Sequence, residues 1–324
     1  MYAASATMNK DDFFLPHGKL NIRRLARFIS LIEDNPEEAQ ADLAQVYCEN
    51  HQALLLGITG PPGVGKSTLT DRLIAHYRSL DKKVAVIAVD ASSPFTGGAI
   101  LGDRIRMSSH ATDAEVFIRS MGSRGNLGGL APATMDVMNL LTSVGFDVVL
   151  IESVGVGQTE VDIMHLVDTV LLVLMPGLGD DVQALKAGMM EIADIFVINK
   201  ADKPGAQQLQ SEIAMLLSLR QERLAWTPPI VETVATEARG IEALTAAIAQ
   251  HSEYLNSRHA EEKQRKRDHR FQRMVQQKIL TLALHFLQDN QAYQQWAREA
   301  SAAAVNPYAA MRDFENHIKL KWEV

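Results

Sequence analysis

Apolar residues recur along this chain with two different periods, and the change of period divides it into three parts. Leu20, Leu25, Phe28, Ile29 and Ile32 follow helical spacing up to a break at Asp34, Asn35 and Pro36, after which a second helix is predicted over 37–47. From Ala53 to about residue 250 the pattern turns into short β-rich runs separated by helical stretches: ALLLGIT, KVAVIAVD, EVFIRS, DVVLIES, TVLLVLM, DIFVINK and PIVETVA. Strands that are apolar on both faces and alternate with helices predict βαβ units around a mostly parallel sheet. Beyond Asn256 the pattern is helical again over 263–288 and 292–304, up to Pro307. The expected organisation is an α/β domain over 53–256, an N-terminal helical extension over 1–52 and a helical C-terminal arm over 257–324.

The β-rich centre carries the chemistry. Directly after the first strand comes GPPGVGKST, Gly60, Pro61, Pro62, Gly63, Val64, Gly65, Lys66, Ser67 and Thr68, followed by a helical stretch over 69–77. Strand, glycine loop and helix in that order make a phosphate cradle: glycine allows the backbone to turn its N–H groups inward, and the helix N-terminus favours an anion. Lys66 is positioned for the β and γ phosphates of a nucleotide, and Ser67 for Mg²⁺.

Three later strand ends extend the site. DIFVINK runs into Asn199, Lys200, Ala201 and Asp202, an N-K-x-D run at the carboxyl end of a strand, where open α/β sheets bind ligands. A carboxylate at Asp202 can accept from both N1–H and the exocyclic amine of guanine, which adenine does not present in that pattern. The expected nucleotides are therefore GTP and GDP, with Lys200 against the phosphate loop and base plane and Asn199 tying loops together. The strand end at Val234, Ala235 and Thr236 offers main-chain groups to the guanine edge. Glu152, at the end of DVVLIES, is expected to bind magnesium directly or through water, and Gly155 to offer its N–H to the γ-phosphate. Asp90 and Asp103 lie in or beside VDASSPFTGGAILGDRIRM as further metal-shell candidates, and Lys186 in PGLGDDVQALK is a candidate for neutralising transition-state charge. The candidate catalytic set is Lys66, Glu152 and Lys186.

Composition narrows the function classes. The chain has 324 residues, 47% hydrophobic and 22% charged, which describes a globular protein with a full core. No apolar run reaches the ~18–20 residues of a membrane span, and the start shows no secretory pattern, so a cytoplasmic protein without membrane association is expected. A formal net charge of −7 disfavours nucleic acid as a partner. The seven Lys/Arg between Arg258 and Arg273 are interspersed with acids and lack aromatic interleaving, the pattern of a solvated helix face. Cys48 is the single cysteine, expected to be a buried structural thiol, and the ten histidines form no tract for carrying a metal. Ile279, Leu280, Leu282, Leu284, Phe286 and Leu287 give the arm more apolar surface than a lone helix exposes, which predicts a homodimer built through it.

VDASSPFTGGAILGDRIRM, ESVGVGQTE, PGLGDDVQALKAGMMEIAD and NKAD together resemble the signatures of the methylmalonyl-CoA mutase-associated GTPases, the MeaB or ArgK family of the SIMIBI class. The resemblance covers nearly the whole chain and is densest over 54–240. It implies a homodimeric GTPase that chaperones an adenosylcobalamin-dependent methylmalonyl-CoA mutase, gating cofactor loading and protecting or restoring activity. Carried over by motif, the metal shell is Ser67, Asp90, Asp103 and Glu152. Ala91 departs from the family's usual Pro after the aspartate, and the arm does not match residue by residue. A small-molecule or transport-system kinase and a nickel metallochaperone GTPase are the alternative readings.

Overall fold

The computed structural model describes residues 8–48, 53–90, 110, 112–122, 133–153, 166–177, 191, 193–219, 226–257, 260–290, 293–294, 297–298, 306, 308–309 and 312. Seven strands form one sheet: β1 (Leu54–Thr59), β2 (Val84–Asp90), β3 (Val116–Gly122), β4 (Val148–Glu152), β5 (Thr169–Leu174), β6 (Ile195–Asn199) and β7 (Ile230–Thr233). Their order is β3-β2-β4-β1-β5-β6-β7, and every pairing is parallel. All seven lie where the β-rich runs of the sequence predict them. The last ends at Thr233, one residue before the predicted Val234, because residues 235–237 coil into a 3₁₀ turn.

The described helices are α1 (Ile22–Asp34), α2 (Pro36–Val46), α3 (Lys66–Ser79), α4 (Ala133–Ser143), α5 (Ala206–Ser218), α6 (Ile241–Ser257) and α7 (Ala260–Asp289). Leu20 stands before α1, in a bridge to Phe14, and the helix starts after Asn21, whose side chain accepts from the Arg24 N–H at 3.1 Å. Pro36 opens α2 rather than only ending α1, since proline at the first helical position forfeits no hydrogen bond.

Side-chain alternation explains the layers. On β4, Val149 and Ile151 face one side of the sheet and Val148 and Leu150 the other. The first side packs with Ile87, with Leu25, Phe28, Ile29 and Ile32 of α1, and with Val137, Leu140 and Leu141 of α4. The second packs with Leu56, Ile58 and Val173, with Leu69, Leu73 and Ile74 of α3, and with Leu244 and Ile248 of α6. Most of these side chains are fully buried, each contributing roughly 1.5–3 kcal/mol of hydrophobic stabilisation. Cys48 is half-buried rather than buried, because it follows the end of α2, where its N–H donates to Ser143 Oγ at 3.1 Å.

The chain divides into two compact units, Met1–Arg267 and Asp268–Val324, with the division falling inside α7. In the second unit Phe271, Ile279, Leu280 and Leu282 are exposed. Among the described residues no helix is long and apolar enough to cross a membrane.

Candidate nucleotide site at the carboxyl edge of the sheet

The register of the central strands assembles the site. Ile58 pairs with Glu152 of β4, and Thr59 with Leu172 of β5, so the chain leaves β1 between the ends of two neighbours. Gly60, the first residue out, has φ +139° and passes so close to β5 that a Cβ would lie 2.1 Å from the Val173 carbonyl oxygen. Only glycine fits there. Gly65 caps α3 in the left-handed region at φ +96°, and the helix begins at Lys66, three residues before the predicted start, because the loop delivers Lys66 and Ser67 on its first turn.

Lys66 is buried, and its ammonium donates to the carbonyls of Gly60 at 2.7 Å and Pro61 at 3.0 Å. Its charge thus sits in the mouth of the loop, where an anion can be received. Pro61 and Val64 are buried, Pro62 and Gly63 exposed, and Thr68 half-buried.

Glu152 is buried at the carboxyl end of β4. Its Oε1 accepts from Ser67 Oγ at 2.6 Å and its Oε2 from Thr70 Oγ1 at 2.8 Å. Thr70 Oγ1 also lies 3.0 Å from the Lys66 carbonyl, so its single proton is shared between two acceptors. Beside it, Ser153 Oγ donates to Thr59 Oγ1 at 2.9 Å. The hydroxyl of Ser67 and the carboxylate of Glu152 form a hard-oxygen pair of the kind Mg²⁺ prefers, directed into a phosphate loop. The residues present therefore fit that ion. Asp90 ends β2 at the same edge of the sheet. Asp103, Gly155 and Lys186 lie outside the described residues.

The N-K-x-D loop meets the phosphate loop. Asn199 is buried; its Nδ2 donates to the Val64 carbonyl at 2.8 Å, while its Oδ1 accepts from Thr233 Oγ1 and from the Ala235 N–H, both at 3.1 Å. Lys200, with φ +56°, donates from Nζ to the Gly63 carbonyl at 2.6 Å. Asp202 is exposed in the following turn. The structure thus brings together Gly60, Gly63, Val64, Gly65, Lys66, Ser67, Glu152, Asn199, Lys200 and Ala235.

Two residues of this network are absent from the sequence-derived set. Thr70 follows Ser67 by three positions and Lys66 by four, on one helical face, a spacing that marks it once α3 is known to start at Lys66. Arg72 donates from Nε to the Ala235 carbonyl at 2.8 Å and from a terminal nitrogen to the Thr236 carbonyl at 3.2 Å. Partners 163 and 164 positions apart leave no local signal.

A family model described as methylmalonyl-CoA mutase-associated GTPase MeaB matches residues 25–287. A Pyrococcus abyssi protein is 49% identical over 292 residues, covering 89% of this chain and 90% of its own. GTPase ArgK of Escherichia coli is 40% identical over 234 residues, 69% of this chain and 70% of its own. The mouse methylmalonic aciduria type A homolog, mitochondrial, is 34% identical over 236 residues, 67% of this chain and 57% of its own. Among solved structures, the crystal structure of LAO/AO transport system kinase superposes with a TM-score of 0.66 at 28% identity, covering 92% of this chain and 94% of that one. Phosphate loop, strand order and these likenesses agree: the chain belongs to the methylmalonyl-CoA mutase-associated GTPase family, MeaB, and is a P-loop GTPase.

Proposed function

We propose that this GTPase works as a nucleotide-dependent switch on an adenosylcobalamin-dependent methylmalonyl-CoA mutase, gating cofactor loading and protecting or restoring the mutase. The family match and the name of the mouse relative support that client. The observation that carries the nucleotide reading is the contact of Asn199 and Lys200 with Val64 and Gly63, which ties a guanine-type loop to the phosphate loop.

In this reading GTP lies along the Gly60–Thr68 loop. Lys66 exchanges its carbonyl partners for β and γ phosphate oxygens, a charge-assisted contact that strengthens as charge develops on them. Asp202 accepts from guanine N1–H and the exocyclic amine, and the Val234–Thr236 stretch offers main-chain groups to the guanine edge beside them. Ser67 and Glu152 would hold Mg²⁺, with Asp90 and Asp103 as further ligands, and the ion would supply neutralisation of phosphate charge. Water attacks the γ-phosphorus, the bond to the β–γ bridging oxygen breaks, and GDP and phosphate leave. Gly155 and Lys186 are assigned to the γ-phosphate and to transition-state charge. Region 53–256 carries this chemistry, 1–52 extends it, and 257–324 forms the arm of a cytoplasmic homodimer.

Hydrolysis of GTP and ATP, measured alone and with the same organism's methylmalonyl-CoA mutase and with Lys66→Ala as control, tests the reading. GTP-selective turnover that rises with the mutase is expected. Turnover indifferent to the mutase removes that client, and labelled γ-phosphate transferred to arginine or ornithine instead of water removes the switch.

A further inference from the structure

Arg72 lies on the outer part of α3, beyond the phosphate-binding turn. Among the described residues its guanidinium meets no carboxylate; both of its partners are main-chain carbonyls, those of Ala235 and Thr236. These belong to the 3₁₀ turn Ala235–Glu237 that follows β7.

The same turn is held from its other side by Asn199, whose Oδ1 accepts the Ala235 N–H. Asn199 thus fixes the peptide entering Ala235, and Arg72 the peptide leaving it. A trans peptide is planar, with C=O and N–H pointing in opposite directions. Holding the Ala235 carbonyl toward α3 therefore aims the Thr236 N–H away from α3. A directed N–H at this strand end is a donor suited to the O6 of a 6-oxopurine and unsuited to the 6-amino group of adenine, which is itself a donor.

We infer that Arg72 is a positioning residue for base recognition: it braces the Ala235–Thr236 peptide from α3 so that a main-chain N–H reads the 6-oxo group of the purine. The inference rests on the guanine-nucleotide reading above. A charged donor on a carbonyl contributes more than a neutral one, and here it acts on two adjacent carbonyls of a three-residue turn. Without it the Ala235 carbonyl keeps only the long 3.3 Å bond from the Ala238 N–H, and the peptide that follows Ala235 is held less tightly.

Direct binding of GDP, IDP and ADP to the full chain, wild type, Arg72→Ala and Arg72→Lys, separates the possibilities. GDP and IDP share the 6-oxo group and N1–H, and differ in the 2-amino group that Asp202 would read. Arg72→Ala is expected to weaken GDP and IDP alike by about tenfold, the scale of one lost charge-assisted hydrogen bond. Their ratio and the affinity for ADP should hold. Arg72→Lys, with one ammonium for two carbonyls, should recover part of the loss. Equal weakening of all three nucleotides, or none, overturns the positioning role. A wild-type protein that does not prefer GDP to ADP overturns instead the guanine reading beneath it. Should Arg72→Ala not fold, the lysine variant and the same three ratios decide alone.

Discussion

Asn199 and Gly65 occupy one another's space: the Asn199 Nδ2 stands 2.5 Å from where a Cβ on Gly65 would be, and donates to the neighbouring Val64 carbonyl. The glycine is thus required twice, by its φ of +96° and by the amide packed onto it. Gly65→Ala should cost ~1–2 kcal/mol in backbone strain and expel Asn199, loosening the hold on Thr233 and Ala235 as well. Calorimetry with GDP is expected to show a loss of affinity on the order of tenfold or more; an unchanged affinity would refute the coupling of the two loops.

Thr70 and Glu152 offer a test that leaves the phosphate loop sequence intact. Thr70→Val keeps shape and removes the hydroxyl that reaches Oε2 of the buried carboxylate. Stability should fall by about 1.5–3 kcal/mol, read as a lower urea midpoint with unchanged slope. Thr70→Ser should recover most of it, and a valine variant as stable as wild type would mean the contact contributes nothing.

Asp136 on α4 gives the protein a specific pH response. Burial raises its pKa from 3.8 to about 6, so between those values the folded chain binds more protons than the unfolded one. Its contribution to stability is complete below the lower value and is lost as pH rises through the upper one. Asp136→Asn should therefore stabilise the protein at pH 7 by on the order of 2 kcal/mol and flatten the melting temperature between about pH 4 and pH 6. The same slope in both proteins would assign the titration elsewhere.

Glu33 of α1 and Arg119 of β3 form an ion pair at 8% and 18% side-chain exposure, and the guanidinium also donates to Ser30 Oγ at 3.0 Å. Arg119→Ala removes one partner of a largely buried carboxylate and should destabilise by about 3 kcal/mol. The double replacement Glu33→Leu with Arg119→Met should restore most of that loss. Guanidinium denaturation of the three proteins measures it, and a single variant within 1 kcal/mol of wild type (a tenth or more of a typical domain's stability) would contradict the expectation.

Much of this architecture was readable residue by residue. LLLGI, VVLI and VLLVLM are the apolar hearts of three runs, as strands covered on both faces must be, and they belong to the three strands at the centre of the sheet. Gly60, Gly65 and Lys66 stand at fixed offsets because a cradle needs positive φ and a cation at set distances from a strand end. The start of α3 was less legible: the apolar pattern begins at Leu69, while the helix begins at Lys66, whose neighbours are polar because they face the site.

The amino-acid sequence by itself thus determined the parallel α/β class, the phosphate loop and the family, since each depends on local periodicity or on short motifs whose spacing is set by one strand and one turn. Only the tertiary structure decided which side chains meet: Glu152 with Ser67 and Thr70 across 85 and 82 positions, and Arg72 with the Ala235–Thr236 turn. Those contacts follow from parallel register, which brings the ends of β1, β4, β6 and β7 to one edge, and register is a property of packed strands that no local pattern encodes.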